Sequence, residues 1–593
     1  MPSDNFDFAM AIGGAAGQGI ATPGNILARI FTRRGLHFNA YNAYQSIVRG
    51  GHIFLTTRIS NEEIYSHGDK LDMLVCLNQD TMDRHLGLMG EGGIVIFNSD
   101  SIKPGEAATG VQLCPVSVKE ISGGSRNKLI QNTISLGVIL SLLKMDFELL
   151  EQALTLQLIK KGQEVVDENV NAAKAGYEYA KENFQVHSET VPDGLKPKAL
   201  WTGNDALAMG GASAGVKFYC AYPMSPSTGV LHWFAKNARD LDIMVRQAED
   251  EIAVANMVIG AAHTGARAMC ATSGGGFALM TEAIGAASIM EIPCVFINVM
   301  RAGPSTGVPT KTEQGDLWQA LGASQGDFER FIVAPVDALD AYNIIPEIFN
   351  LCDVHQCPGI VLTDLLISEG TFSADPDAIN FQPEIDRGEQ VTEPSSDSSY
   401  LRYKRTDSGV SPRAVPGLEG HVHVVATDEH DENGVLISDE YTNPHTRRLM
   451  VEKRARKIAN VVDKIAAPQL EGAENADVTL IGWGSTSGVI KEAIAQLAEQ
   501  GIIANQLAIK WIVPFHVQAV TDIVNNANHT IMIENNYTGQ FFRFFRGETG
   551  LNVNGHIRKY DGEPFMPHHI VEGVKEQLTE KTNHFVPTQE IMV

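Results

Sequence analysis

The run IPCVFINV at 292–299 constrains this chain more than any other feature. A strand with one face in water alternates polar and apolar residues. This one is apolar on both faces along nearly its whole length, so both faces must be covered. Helices arriving from right-handed parallel crossovers supply that cover, which predicts an open α/β sheet. Four neighbouring runs, KFYCAY, ARAMCATS, FERFIVAP and PGIVLTDL, fit the same sheet, and EIAVANMVIGAAHTG and FALMTEAIGAASIM between them carry helical patterning. These segments define a block at 196–370.

Two further blocks alternate in the same way. Residues 1–190 open with the strand FDFAMAI, the loop GGAAGQG and a helix from Ile20 to Arg34. GHIFLTTRIS, DMLVCLN and GGIVIFNS read as strands and KLIQNTISLGVILSLLK as a helix; the polar helical NAAKAGYEYAKENF then leads into a Pro-containing linker, VPDGLKPKAL. Residues 471–593 hold a βαβαβ run, in which ADVTLIGWGSTSG precedes the helix VIKEAIAQLAEQG, a strand IIANQLAIKWIVPF, a helix and the strand HTIMIENN. Residues 371–470 break the pattern. VTEPSSDSSYLRYKRTDSGVSPRAVPGLEG is rich in Ser, Pro, Gly and charge and reads as a long connecting loop. Its His421, His423 and His430, with Asp431, could bind a metal, but an exposed polar loop is the more usual explanation of such a group. The fold class is therefore multidomain α/β, with ligands expected at the carboxyl ends of parallel strands.

Composition removes several function classes. The chain has 593 residues, room for three or four domains of about 150 residues. Its net charge of -25, from 46 Lys plus Arg and 71 Asp plus Glu, repels a phosphate backbone and argues against nucleic-acid binding. No apolar stretch is long enough for a membrane span. The N-terminus MPSDNFDFAMAIGG carries acids where a signal peptide needs positive charge, so a cytoplasmic protein is expected. Cys76, Cys114, Cys220, Cys270, Cys294, Cys352 and Cys357 contain no CxxC, which favours reduced thiols and offers no ligand set for a metal or an iron–sulfur cluster.

Four segments carry residues suited to chemistry. Gly13, Gly17 and Gly19 in GGAAGQG lie between a strand and a helix, where N–H groups and the helix dipole favour an anion. The match to a dinucleotide fingerprint is loose: the third glycine position is Thr22, and no acid closes LHFNAYNAY. A phosphate-bearing ligand or a tight structural turn fits better than a nicotinamide cofactor. Arg49 in QSIVRGG suits an anionic ligand or a surface ion pair. YPMSPST at 222–228 places the hydroxyls of Ser225, Ser227 and Thr228 at a helix start, with Ser227 as a possible N-cap. RAGPSTGVPT at 301–310 leaves the end of IPCVFINV, where Arg301 offers a planar fork for a carboxylate and Thr310 follows the glycines. Glu251 has Val254, Ala255 and Val258 at i+3, i+4 and i+7, an apolar stripe on which a carboxyl titrates high, although an acid also suits a helix start. Glu249 has Asn256 at i+7 and is expected to face water; Glu282 is the second candidate.

Taken together, these residues resemble the fused gamma–alpha subunit of two-subunit 2-oxoacid:ferredoxin oxidoreductases, and are most similar to the 2-oxoglutarate enzymes. GGAAGQG and QSIVRGG resemble the gamma domain. YPMSPST, QAEDEIAVANMVIGAA, TSGGGFALMTEA and RAGPSTGVPTKTEQGDL resemble the thiamine-pyrimidine domain, and IGWGSTSG with ENNYTGQF a transketolase-C-terminal-type domain. The resemblance implies oxidative decarboxylation of a 2-oxoacid, reversibly, with single electrons passing to ferredoxin and the acyl group to coenzyme A. It implies that Glu251 hydrogen-bonds the aminopyrimidine of thiamine diphosphate, and that Arg301, Thr310 and Ser225 meet the substrate. Gly13, Gly17, Gly19 and Arg49 would lie where the gamma domain meets coenzyme A. The family pattern has Thr at the Ser225 position and TSGPG in place of TSGGG, which weakens the inference on substrate size and on that turn.

The chain carries no GDG followed by a distant Asn, the usual Mg-diphosphate motif, and no cluster cysteines. The resemblance therefore implies a beta subunit that holds Mg, the diphosphate and a [4Fe-4S] cluster, in an (alpha-beta)2 heterotetramer. An acidic ferredoxin would dock on that partner or on a local basic patch. Competing readings are the same chemistry on pyruvate or branched 2-oxoacids, and a non-catalytic scaffold binding coenzyme A or a nucleotide.

Overall fold

The computed structural model describes residues 5–45, 50–124, 129–396, 399–437, 443–580 and 582–588. Three large sheets organise them. The first runs in the order Gln112–Val116, Ile94–Asn98, Met73–Cys76, Asp7–Ala15, His52–Ser60, His37–Tyr44, Thr371–Ala374, Ala199–Thr202. Its first four strands are parallel and the rest antiparallel. Helices Ile130–Leu142 and Gln163–Asn183 cross where Gly137 meets Gly176; a Cβ on Gly137 would lie 1.9 Å from the Ala173 carbonyl oxygen. The helical stretch expected at 171–184 thus belongs to the longer helix Gln163–Asn183, which packs on the sheet's helical layer rather than trailing as a tail.

Two strands at the ends of the 196–370 block join this first sheet. Thr371 pairs with both Ala40 and Thr202, so the returning chain is inserted beside His37–Tyr44. The physical gain is a covered edge: without these strands His37–Tyr44 would present an open row of backbone groups.

The second sheet runs Trp511–Val513, Phe331–Val333, Gly359–Asp364, Val295–Met300, Arg267–Thr272, Val216–Ala221, Met244–Gln247, parallel except for the first pair. Val295–Met300, the strand of IPCVFINV, is buried on both sides. Phe296 and Met300 pack with the helices Glu251–His263 and Gly274–Ile289, while Val295, Ile297 and Val299 pack with Gly203–Ser213 and Ala338–His355. Each such side chain contributes about 1.5–3 kcal/mol on burial. Met244–Gln247 has no strong pattern, being a short and largely exposed edge strand.

The third sheet runs Leu470–Gly472, Ala504–Ile509, Val478–Trp483, Thr530–Glu534, Gly555–Arg558, His584–Phe585. The single strand expected at 502–515 is two. Ala504–Ile509 pairs with Val478–Trp483, and Trp511–Val513 crosses to pair antiparallel with Phe331–Val333 of the second sheet. Both halves are mostly buried, so no change of composition marks the switch; Lys510 stands at the crossing and binds Asp340 at 2.5 Å.

Residues 371–470 are more than a connecting loop. They contain a short ladder, Gln390–Val391 with Arg413–Ala414, and the helix Pro444–Arg456. Lys453 and Lys457 reach Glu291 at 2.6 and 3.4 Å with all three side chains fully buried. Burial alone would raise the Glu291 carboxyl, but Lys457, Lys453 and Arg402 hold it at about 2. The histidines do not converge. His421 and His423 place Nδ1 on carbonyls of Glu419 and His421, and His430 on that of Asp428; His421 and His430 are buried rather than exposed. Asp431 accepts N–H bonds from its own turn at Asn433 and Val435. Among the described residues no group of three His, Cys, Asp or Glu is placed to hold a metal ion.

One carboxylate docks the first unit on the third. Glu492 accepts bonds from the N–H groups of Tyr65 and Ser66, the Ser66 hydroxyl and Arg58, at 2.5–2.8 Å. Among the described residues no helix is long and apolar enough to cross a membrane.

Candidate active site

The loops that leave the carboxyl ends of Val216–Ala221, Arg267–Thr272 and Val295–Met300 share one edge of the second sheet, as expected for a ligand site in an open α/β sheet. Glu251 is the first residue of its helix and faces this edge from beside Thr272. Asp250 before it accepts the Ala253 N–H at 2.8 Å, which sets where the helix begins. Both local readings of Glu251 hold at once: it starts the helix, and Val254, Ala255 and Val258 beneath it are buried.

The carboxylate of Glu251 is 3% exposed, and its Oε1 has no hydrogen-bond partner among the described residues. Burial raises its pKa and the charge of Asp250 adds to this, while the Thr272 hydroxyl bond acts the other way. Gly276 makes the room. A Cβ there would lie 2.1 Å from Thr272 Oγ1 and 2.4 Å from Glu251 Oε1. Glu249 and Glu282 are exposed, so Glu251 is the buried carboxylate of the three.

Arg301 lies across the same edge. Its Nη1 donates to the Ser225 carbonyl at 2.7 Å, and its Nε is buried without a partner among the described residues. Ser225 therefore meets Arg301 through its backbone, and its residue is exposed. Ser227 stands at the N-cap position of Thr228–Asn237, but its hydroxyl turns back to the Met224 carbonyl at 2.7 Å and caps nothing. Thr310 is buried at the base of the 301–312 loop, which closes through Ala302 N–H to Lys311 O and Val308 N–H to Ala302 O. Gly307 permits this closure, having φ +53 and only 1.9 Å between a notional Cβ and the Ala302 oxygen.

Asp316 had no role assigned from sequence. Its carboxylate accepts Asn298 Nδ2 at 3.1 Å and lies beside Gly274. Burial raises its pKa, opposed by the Asn298 bond and the Arg301 charge. Asn298 is the one polar residue of IPCVFINV, fully buried, and that exception was the available signal. The next residues lock the loop to the third sheet: Gln314 donates to the Trp483 carbonyl at 2.7 Å and accepts the Asn535 N–H at 3.0 Å. Lys311 bonds Glu563, which also accepts the Tyr41 hydroxyl at 3.0 Å, so all three units meet at this loop.

The glycine motif belongs to the first sheet. Gly13 lies within the strand Asp7–Ala15 rather than in the loop, and packs against Thr81. Gly17 and Gly19 form the turn, held by Gln18, whose Oε1 accepts the Ala15 N–H at 2.6 Å, and by Asn132 on the Gln18 carbonyl. The helix Ala21–Arg33 begins with no capping side chain and no acid in its first turn, as an anion site requires. Arg49 lies outside the described residues.

The residues at the second sheet's edge fit a thiamine-type cofactor. A buried carboxylate with a raised pKa and an orphaned oxygen suits a ring nitrogen that carries or yields a proton, and Arg301 opposite suits a carboxylate.

Residues 210–448 match the family model described as pyruvate flavodoxin/ferredoxin oxidoreductase, thiamine diphosphate-binding. Residues 9–179 match pyruvate ferredoxin/flavodoxin oxidoreductase, and 476–573 match pyruvate:ferredoxin oxidoreductase core domain II. A 2-oxoacid:ferredoxin oxidoreductase alpha subunit of Aeropyrum pernix is 30% identical over 96% of this chain and 97% of its own length. The 2-oxoglutarate oxidoreductase subunit KorA of Mycobacterium tuberculosis is 29% identical over 88% of this chain and 83% of its own. The solved 2-oxoglutarate:ferredoxin oxidoreductase of Magnetococcus marinus, described with 2-oxoglutarate, coenzyme A and succinyl-CoA bound, superimposes with a TM-score of 0.90 at 30% identity, covering 97% of this chain and 100% of that one. With nearly all of its length matched in this way, the chain belongs to the alpha-subunit family of the 2-oxoacid:ferredoxin oxidoreductases.

Proposed function

We propose that this chain is the alpha component of a coenzyme A-dependent 2-oxoglutarate:ferredoxin oxidoreductase, working with a beta subunit. The observation that carries this reading is the pairing of Glu251, buried with an orphaned oxygen, and Arg301, with an unpartnered Nε, at one sheet edge. The 2-oxoglutarate preference is supported by the similarity to the Mycobacterium tuberculosis 2-oxoglutarate oxidoreductase subunit and to the Magnetococcus marinus 2-oxoglutarate:ferredoxin oxidoreductase.

When bound, thiamine diphosphate supplies the carbon nucleophile and electron sink needed for loss of CO2 from a 2-oxoacid. Glu251 would hold or yield a proton at a ring nitrogen of the cofactor, a role that suits a carboxyl whose pKa burial raises. The fork of Arg301 binds the substrate carboxylate; such a charge-assisted contact contributes about 1.5–3 kcal/mol. The charge of Asp316 acts on Arg301 without a direct bond and partly offsets the positive charge there. The open helix start at Gly19 to Thr22 is the place for the phosphates of coenzyme A. Mg, the diphosphate contacts and a [4Fe-4S] cluster are assigned to the beta subunit, in an (alpha-beta)2 assembly.

The test is turnover of the copurified complex with 2-oxoglutarate, pyruvate and branched 2-oxoacids in parallel, read as coenzyme A-dependent reduction of ferredoxin or a low-potential dye. Glu251→Gln abolishes turnover without changing the thermal midpoint by more than a few degrees. Full activity in that variant, or a colourless complex without thiamine diphosphate, overturns the assignment.

A further inference from the structure

The motif ENNYTGQF at 534–541 has no part in the chemistry assigned so far, yet it forms a tightly bonded turn. Glu534 ends the strand Thr530–Glu534, is 1% exposed, and accepts the N–H groups of Phe541 and Phe542 at 2.8 and 3.1 Å. Asn536 accepts the N–H groups of Gly539 and Gln540 at 2.7 and 3.2 Å. Gly539 turns in the left-handed region at φ +65, and a Cβ there would lie 2.6 Å from Arg558. Gln540, the first residue of the helix Gln540–Thr549, is thus fixed through its backbone, and its side chain reaches outward.

What it reaches is the second unit. Gln540 Nε2 donates to the Gly315 carbonyl at 2.7 Å and its Oε1 accepts the Trp318 N–H at 3.1 Å, while its own carbonyl accepts the Trp318 indole N–H at 3.0 Å. The two side-chain bonds straddle Asp316. On its other side Asp316 accepts the amide of Asn298, which lies opposite Thr272 in the parallel pair and three residues before Arg301. Asp316 and Arg301 feel each other's charge but share no hydrogen bond or ion pair. A carboxylate this close to a guanidinium with an unpartnered Nε pairs with it unless something restrains it. The restraint comes from Asn298 at the side chain and from Gln540 at the backbone on either side.

We propose that Gln540 is a positioning residue of the 2-oxoacid site: by gripping Gly315 and Trp318 it holds Asp316 off Arg301 and leaves the guanidinium open to the substrate carboxylate. The inference rests on Arg301 as the group that meets the substrate, as proposed above. It gives the third unit a part in the reaction although none of its residues needs to touch the substrate.

The copurified complex is assayed with Gln540→Met, which keeps the length of the side chain and removes both of its bonds. Released, Asp316 competes with the substrate for Arg301. The KM for the 2-oxoacid then rises roughly 3- to 10-fold, the worth of one competing bond, while kcat and the KM for coenzyme A stay within about twofold. The same substitution made in an Asp316→Asn background changes the 2-oxoacid KM by less than about twofold, because the competing charge is gone. Gln540→Ala replaces the methionine variant if that one does not fold. A 2-oxoacid KM equal to the parent's, an equal rise in both KM values, or the same rise in both backgrounds overturns the inference, since a merely interfacial glutamine lowers the thermal midpoint without that pattern. A parent complex that turns over no 2-oxoacid overturns the proposed function and this inference with it, whereas an active parent with an unaffected Gln540→Met variant overturns this inference alone.

Discussion

Gly276→Ala tests the active-site geometry more sharply than removal of a functional group. The added Cβ would stand 2.1 Å from Thr272 Oγ1 and 2.4 Å from Glu251 Oε1. Ordinary contact needs about 3.4 Å, so one or both groups must yield by about 1 Å. Thr272 sits on a fully buried strand and Glu251 on the first turn of a packed helix, so the carboxylate side chain is the part that moves. A misplacement of about 1 Å in a catalytic constellation costs on the order of 100-fold, equivalent to ~2.7 kcal/mol in the barrier. Stability changes far less. Overpacking costs about 1–3 kcal/mol, offset by up to about 1 kcal/mol from replacing glycine with alanine in a helix. Gly260→Ala, in the neighbouring helix with nothing within 4 Å of the added carbon, isolates the propensity effect alone. The assay is 2-oxoacid-dependent dye reduction by the complex beside thermal unfolding of both variants. A folded Gly276→Ala enzyme with full turnover would refute the placement of Glu251 as the proton-handling carboxylate.

Arg301→Ala raises the KM for the 2-oxoacid about 10- to 100-fold with a smaller change in the KM for coenzyme A, consistent with loss of one carboxylate contact; equal effects on both constants count against it. Glu492→Ala removes four hydrogen bonds that dock 58–66 on the third unit, at a cost of roughly 2–5 kcal/mol, seen as faster hydrogen exchange at 62–68; unchanged exchange there refutes the docking role. The buried pair His52 and His85, with Nε2 atoms 2.9 Å apart, gives a pH dependence. Burial, then His52 and Arg84, push His85 down to about 4, against the opposing charge of Asp80, and burial lowers His52 as well. A depressed histidine stabilises the fold fully above the unfolded value near 6.5, and that stability is lost as pH falls from about 6.5 to about 4. Thermal midpoints in that window therefore fall less steeply for His85→Phe than for the parent; parallel slopes would dismiss the pair as the cause.

Much of this protein is legible along the chain because local pattern reports local burial. IPCVFINV had to be a doubly covered strand, Glu251 had to lie on an apolar stripe, and Arg301 had to leave the carboxyl end of a parallel strand. Those readings use spacings of a few residues, where helix and strand geometry are fixed. What a pattern cannot report is which surface does the covering. IIANQLAIKWIVPF is apolar throughout, yet its two halves belong to different sheets. Ser225 offered a hydroxyl in sequence and a carbonyl in space, because the loop's turn decides which atom faces Arg301. Lys311, Glu563 and Tyr41 meet across separations of 252 and 522 residues, which no local pattern signals. Sequence alone thus determined most of the elements in the three α/β blocks, the family and the candidates for the chemistry. Only the tertiary structure decided how the units share strands and which polar groups are left unpaired, since both depend on packing between segments whose separation along the chain carries no periodic trace.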